Sequence, residues 1–115
     1  MRVKTDIWIG ALTRRLFAEG HYATVERRGA AEAGAIFLRV RHRDGTESLL
    51  APAPQSLFDS EEDTSNRLFE RRLSATSGHE IDALITRELS FDPDLWLVEI
   101  ETDEPEAYVE VVAPD

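Results

Sequence analysis

Apolar residues recur at helical spacing from Ile7 to Glu19, with Trp8, Ile9, Leu12 and Leu16 on one side at 100° per residue. The spacing predicts a helix whose stripe faces a core. Asp6 is placed to cap it and Gly20 to end it. A second row, Ile7, Gly10, Arg14 and Phe17, lies elsewhere on the same helix. It is too apolar for a plain solvent face, so it is either covered by a loop or strand of this chain or forms a contact between subunits.

The pattern then changes to strands. Tyr22–Arg27 is short, and Ala35–Arg43 is the clearest strand in the chain. Asp44-Gly45 reads as a two-residue hairpin turn that needs positive φ. Thr46–Ala51 returns and stops at Pro52-Ala53-Pro54, which cannot continue a ladder. Ser60-Glu61-Glu62-Asp63 could open a helix, yet Asn66–Leu73 is read as a strand. Ser77 with Glu80 forms a capping box, and Ile81, Leu84, Ile85 and Leu89 keep helical spacing behind it. Asp92-Pro93 stops that helix, and Leu95–Thr102 is a strand of large apolar groups.

The order is therefore α-β-β-β-(β)-α-β. It predicts an α+β fold with a mixed or mainly antiparallel sheet of four to five strands and two helices. Residues 1–102 form one domain. The tail, 103–115, carries Tyr108, Val109 and Val111 in a β-prone stretch. It either frays, adds an edge strand to its own sheet, or adds one to a partner.

Charge sharpens this picture. The net charge is −10, but residues 1–45 hold nine Lys or Arg against five Asp or Glu, and residues 46–115 hold four against eighteen. An acidic whole argues against nucleic acid as a partner, since that affinity comes largely from neutralising phosphates. Arg39, Arg41 and Arg43 share one face of their strand, and Glu99, Glu101 and Asp103 share one face of theirs. If the two strands are sheet neighbours, these rows pair across them and the charge split closes within one fold.

There is no cysteine, which excludes disulfide frameworks, thiol catalysis and zinc ribbons. No apolar run reaches a membrane span and no export signal is read, so a cytoplasmic chain is expected.

Candidate chemistry is sparse. His21, His42 and His79 lie outside metal-ligand spacing of one another. Asp92, Asp94 and Glu99 form the densest carboxylate group and could hold a hard divalent cation. The competing reading makes Asp92 and Asp94 turn residues that bond nearby backbone. Asp59, Glu61, Glu62 and Asp63 read as a solvated loop. No glycine-rich loop forms a phosphate cradle, since Gly29 and Gly34 are not followed by lysine.

Three segments carry a resemblance. They are Thr5-Asp6-Ile7-Trp8-Ile9 with Leu12-Thr13-Arg14-Arg15; Gly34–Val40 with Arg43-Asp44-Gly45 and Pro52-Ala53-Pro54-Gln55; and Phe91-Asp92-Pro93-Asp94-Leu95-Trp96-Leu97-Val98-Glu99-Ile100-Glu101. Together they resemble a family of short alphaproteobacterial proteins classified only as a domain of unknown function. The resemblance implies a stand-alone cytoplasmic protein and supports the strand at 67–73. It supplies no activity or ligand.

The expected function is an accessory domain without catalysis that binds another protein, with a homodimer as one form and no cofactor. The interface candidates are Ile7, Gly10, Arg14, Phe17, Tyr108, Val109 and Val111. The alternative is a small metal-dependent enzyme or metal-binding protein using Asp92, Asp94 and Glu99.

Overall fold

The computed structural model describes residues 3–54 and 67–112. The run Ser60–Asp63 and the acidic group from Asp59 to Asp63 lie outside the described residues.

Helix α1 spans Thr5–Ala18. It begins before Asp6, and its N-cap, Lys4, makes no side-chain capping bond. The reason is local: Thr5 N–H donates to Glu32 O at 3.2 Å and Asp6 N–H to Ala31 O at 3.0 Å, so loop carbonyls satisfy donors that a cap would serve. Gly20, at φ 84°, ends the helix in the left-handed region as expected.

Strands β1 (Tyr22–Arg27), β2 (Ile36–Arg41) and β3 (Glu47–Pro52) follow. The β2–β3 turn differs from expectation. His42 N–H donates to Thr46 O at 2.9 Å and Gly45 N–H to His42 O at 3.1 Å, so three residues are looped out. Only Gly45 takes positive φ there, at 92°, which is a tight turn closed by a left-handed glycine. Strand β4 (Leu68–Thr76) settles the ambiguous segment as strand. Helix α2 (Gly78–Leu89) starts at Ser77, whose side chain accepts from Glu80 N–H. Strand β5 (Trp96–Glu101) follows, then a 3₁₀ turn at Pro105–Ala107 and a short strand β6 (Glu110–Val111).

The six strands form one mixed sheet in the order β1-β5-β2-β3-β4-β6. β2 lies parallel to β5, and β4 parallel to β6; the other pairs are antiparallel. The class matches the α+β expectation, with one strand more than foreseen. That strand is the tail, which adds to its own sheet beside β4, with Val112 N–H donating to Phe69 O at 2.8 Å.

The helices lie on opposite faces. α1 covers Ile36, Leu38, Val40, Trp96, Val98 and Ile100 with Ile9, Leu12 and Leu16. α2 covers Phe37, Leu49 and Leu97 with Ile81, Leu84 and Ile85. The alternation along β2 and β5 sends successive side chains to the two cores, so both strands read as continuous apolar runs.

Candidate functional site

The outer side of α1 is the most unusual surface of the fold. Ile7 is 58% exposed and Phe17 55%. Ala11, Arg14 and Ala18 are also exposed, and Gly10 is half-buried. Among the described residues no strand or loop covers the row. The row meets β1, an edge strand, at Tyr22, which approaches the Phe17 ring edge-on at 6.1 Å. Arg14 is the one charged residue in this row, and its guanidinium lies back over Gly10.

The tail candidates behave differently. Val109 is buried in the α1-side core. Tyr108 donates its hydroxyl to Glu19 at 2.7 Å and lies under the Arg15 guanidinium. Val111 packs against the same core and pairs with Phe69. These three are engaged inside the chain.

The carboxylate candidates do not converge. Asp92 Oδ1 accepts the Asp94 N–H at 3.0 Å, as a turn residue does. Glu99 lies inside β5, beyond that turn, and faces Arg41 at 3.6 Å. Among the described residues no group of three or more His, Asp or Glu side chains is arranged to hold a metal ion.

The arginine and glutamate rows do meet. β2 and β5 are neighbours in register, with Arg39 beside Glu99 and Arg41 beside Glu101. Arg39 itself reaches other acids: Glu26 at 3.3 Å, Glu47 at 3.6 Å, and Asp82, which it also hydrogen-bonds. Arg41 bridges Glu47 and Glu99. Arg43 contributes through its backbone N–H, which donates to Asp103 at 3.0 Å. Four carboxylates thus surround two guanidinium groups beside α2. Burial pushes the Glu26 carboxyl above its ordinary range; Arg39 pulls it down, and Glu99, Asp82 and Glu47 push it up further. An arginine face committed to acids is poorly placed to meet phosphates.

One cluster has no signature spacing in the sequence. His42 Nε2 lies 2.7 Å from Ser48 Oγ, and His42 Nδ1 lies 3.6 Å from Asp103. The order is that of a nucleophile relay. Its setting is structural, however. Ser48 is 3% exposed, and its Oγ accepts the Ala75 N–H at 3.0 Å. It does so where the β3–β4 register shifts and Ala75 takes φ 47°. The hydroxyl supplies the acceptor that the irregular ladder fails to give.

A depression of about 170 Å³ is lined by Ala33, Ile36, Pro52, Arg67, Leu68 and Phe69 among others. It is smaller than the roughly 300 Å³ at which small-molecule pockets begin. Arg67 there donates to Val3 O at 2.9 Å and Thr5 Oγ1 at 3.2 Å. No helix among the described residues is long and apolar enough to cross a membrane.

The fold agrees with solved relatives. The chain is similar to the solution structure of protein Atu0922 from A. tumefaciens, at 51% identity and TM-score 0.86, covering 100% of this chain and 98% of that one. It is also similar to a crystal structure of a DUF1491 family protein from Caulobacter crescentus, at 34% identity and TM-score 0.76, covering 98% and 100%. An NMR structure of a DUF1491 family protein from Caulobacter crescentus gives 34% and 0.75, covering 98% and 99%. No curated protein matches the chain. The family model described as "Protein of unknown function (DUF1491)" matches residues 3–110, and the chain belongs to that family.

Proposed function

We propose that this protein is a cytoplasmic docking domain that binds another protein chain and performs no catalysis, and that the outer side of α1 is the surface it uses. The observation that carries the reading is the exposed row itself. A helix on the surface of a sheet ordinarily turns charged residues to water. Here Ile7, Gly10, Ala11, Phe17 and Ala18 stand around Arg14, with the exposed Arg15 at the margin of the row. Contiguous exposed apolar side chains mark contact sites. The lack of cysteine suits a reducing compartment.

Replacing Phe17 with a photo-crosslinking phenylalanine analogue tests this in living cells. A discrete adduct from position 17, and none from the exposed position Arg87 on α2, is the expected result. Absence of any adduct at 17 removes α1 as the docking face.

A further inference from the structure

We infer that His42, Ser48 and Ala75 form a pH-sensitive clamp on the β3–β4 ladder, closed while the His42 ring is neutral and opened when the ring takes up a second proton. The geometry fixes the role of each partner. Ser48 Oγ accepts the Ala75 N–H at 3.0 Å and lies 2.7 Å from His42 Nε2. His42 Nδ1 lies 3.6 Å from the Asp103 carboxylate. A bare Nδ1 would set its lone pair against that negative charge, so the neutral ring carries its proton on Nδ1 and leaves Nε2 as an acceptor. Ser48 therefore donates its hydroxyl to Nε2. A single chain of donors results, from the Ala75 N–H through Ser48 to His42, and each bond polarises the next.

A charged ring breaks this order. Both nitrogens then carry protons, and Nε2 no longer accepts. Ser48 is 3% exposed, and among the described residues its hydroxyl has no hydrogen-bond partner besides His42 and Ala75. Its proton is stranded unless the contact with the ring is given up. Asp103 offers the ring another partner, since a protonated imidazole gains by closing the 3.6 Å gap to a carboxylate. An open depression of about 530 Å³ over the cluster, lined by His42, Ser48, Ala75 and Asp103 among others, leaves the ring space to turn.

The other charged groups around the ring leave Asp103 as its nearest partner. Arg41 of β2 is held by Glu47 and Glu99, and Arg71 of β4 by Glu106. Asp44 of the turn accepts from the Thr46 N–H and hydroxyl. His21 before β1, Arg43 of the turn and Glu101 of β5 line the neighbouring depression that His42 also borders. The place of the clamp gives it consequence. Ala75 takes φ 47° where the β3–β4 register shifts, a conformation unfavourable for alanine. It stands two residues before Ser77, the N-cap of α2. Opening the clamp removes the hold that fixes where the chain leaves the sheet for α2.

Heteronuclear NMR of the full chain, from about pH 8 to about pH 5, spans the range in which imidazole takes up its second proton. At the alkaline end the ring nitrogens of His42 should show the Nδ1–H tautomer. The Ala75 amide signal should then move with the same midpoint as the His42 ring. Its hydrogen exchange, corrected for the intrinsic rate, should speed up roughly threefold to tenfold on the acid side, the effect of losing about one net hydrogen bond. Asp103→Asn keeps an acceptor for the Arg43 N–H and removes the charge, so both midpoints should move together to lower pH. His42→Gln, at a half-buried turn position, should leave the Ala75 amide without a response over this range. A ring protonated on Nε2 alone at the alkaline end, an Ala75 amide that ignores the His42 midpoint, or an Ala75 response that persists in His42→Gln would overturn the inference.

Discussion

Arg39→Met tests whether the network beside α2 holds the fold together. The Arg39 side chain is only 11% exposed, and it faces Glu26, Glu47 and Asp82. Methionine keeps the apolar stem and deletes the charge. What remains is Glu47, 13% exposed, with its Oε1 covered and lacking a hydrogen-bond partner. Removing one partner of a buried pair costs about 3–5 kcal/mol. Two facts reduce that here. Arg41 stays 3.9 Å from Glu47, and Asp82 is largely exposed, where an ion pair contributes at most about 1 kcal/mol. The expected loss is about 2–3 kcal/mol at neutral pH. At several degrees per kcal/mol for a domain of this size, the thermal midpoint should fall by roughly 10 °C. Urea unfolding at neutral and at acidic pH gives the direct reading. The stranded carboxylates take up protons in acid, so the loss should shrink there. The double change Arg39→Met with Glu47→Leu should recover part of it, since apolar groups can replace a buried pair. A loss below about 0.5 kcal/mol, or one equal at both pH values, would refute the reasoning.

Three further outcomes follow from the same geometry. Ser48→Ala should cost about 1–3 kcal/mol by depriving the Ala75 N–H of its acceptor, and circular dichroism melting would read it; an unchanged melt would mean the bulge holds without the hydroxyl. Gly34→Ala should cost about 1–3 kcal/mol, since a Cβ there falls 2.6 Å from Asp94 O and 2.8 Å from Ala30 O, both backbone atoms; a stable alanine variant would disprove the close approach. Glu26→Gln bears on pH dependence. A carboxyl held above 4.5 in the fold binds its proton more tightly than the unfolded chain does, so its contribution declines as pH rises from about 4.5 through the raised value. The glutamine variant should therefore gain on the parent between acidic and neutral pH in urea titrations, and a pH-independent difference would contradict the raised value.

The sequence makes individual elements legible and their assembly much less so. β1 has the bounds that its alternation predicts, and α2 begins at the capping box of Ser77 and Glu80. Both are local patterns. The start of α1 was not legible, because the partners of its first N–H groups are carbonyls of Ala31 and Glu32, far along the chain. The β2–β3 turn was misjudged by one residue, since Asp44-Gly45 fits two turn lengths and only the His42–Thr46 bond decides. β6 was an open alternative because it pairs only with β4. The exposed row of α1 could be read as a candidate, since helical geometry fixes which residues share a side. Its extension onto Tyr22 could not, for nothing in the sequence says that β1 is an edge. The grouping of His42, Ser48 and Asp103 was equally hidden by its separation along the chain.

The charge split decides how the docking face should be understood. A basic first half and an acidic second half are expected to pair within one fold. The fold spends those charges internally. Arg39 and Arg41 meet Glu26, Glu47, Asp82 and Glu99 beside α2, while Arg71 meets Glu106 and Arg72 meets Glu88 around the sheet edge. Lys4 and Arg15 are taken up by Glu32 and Glu19. What α1 leaves to the outside is thus a row of apolar side chains around one unbridged charge, Arg14, with the exposed Arg15–Glu19 pair at its margin.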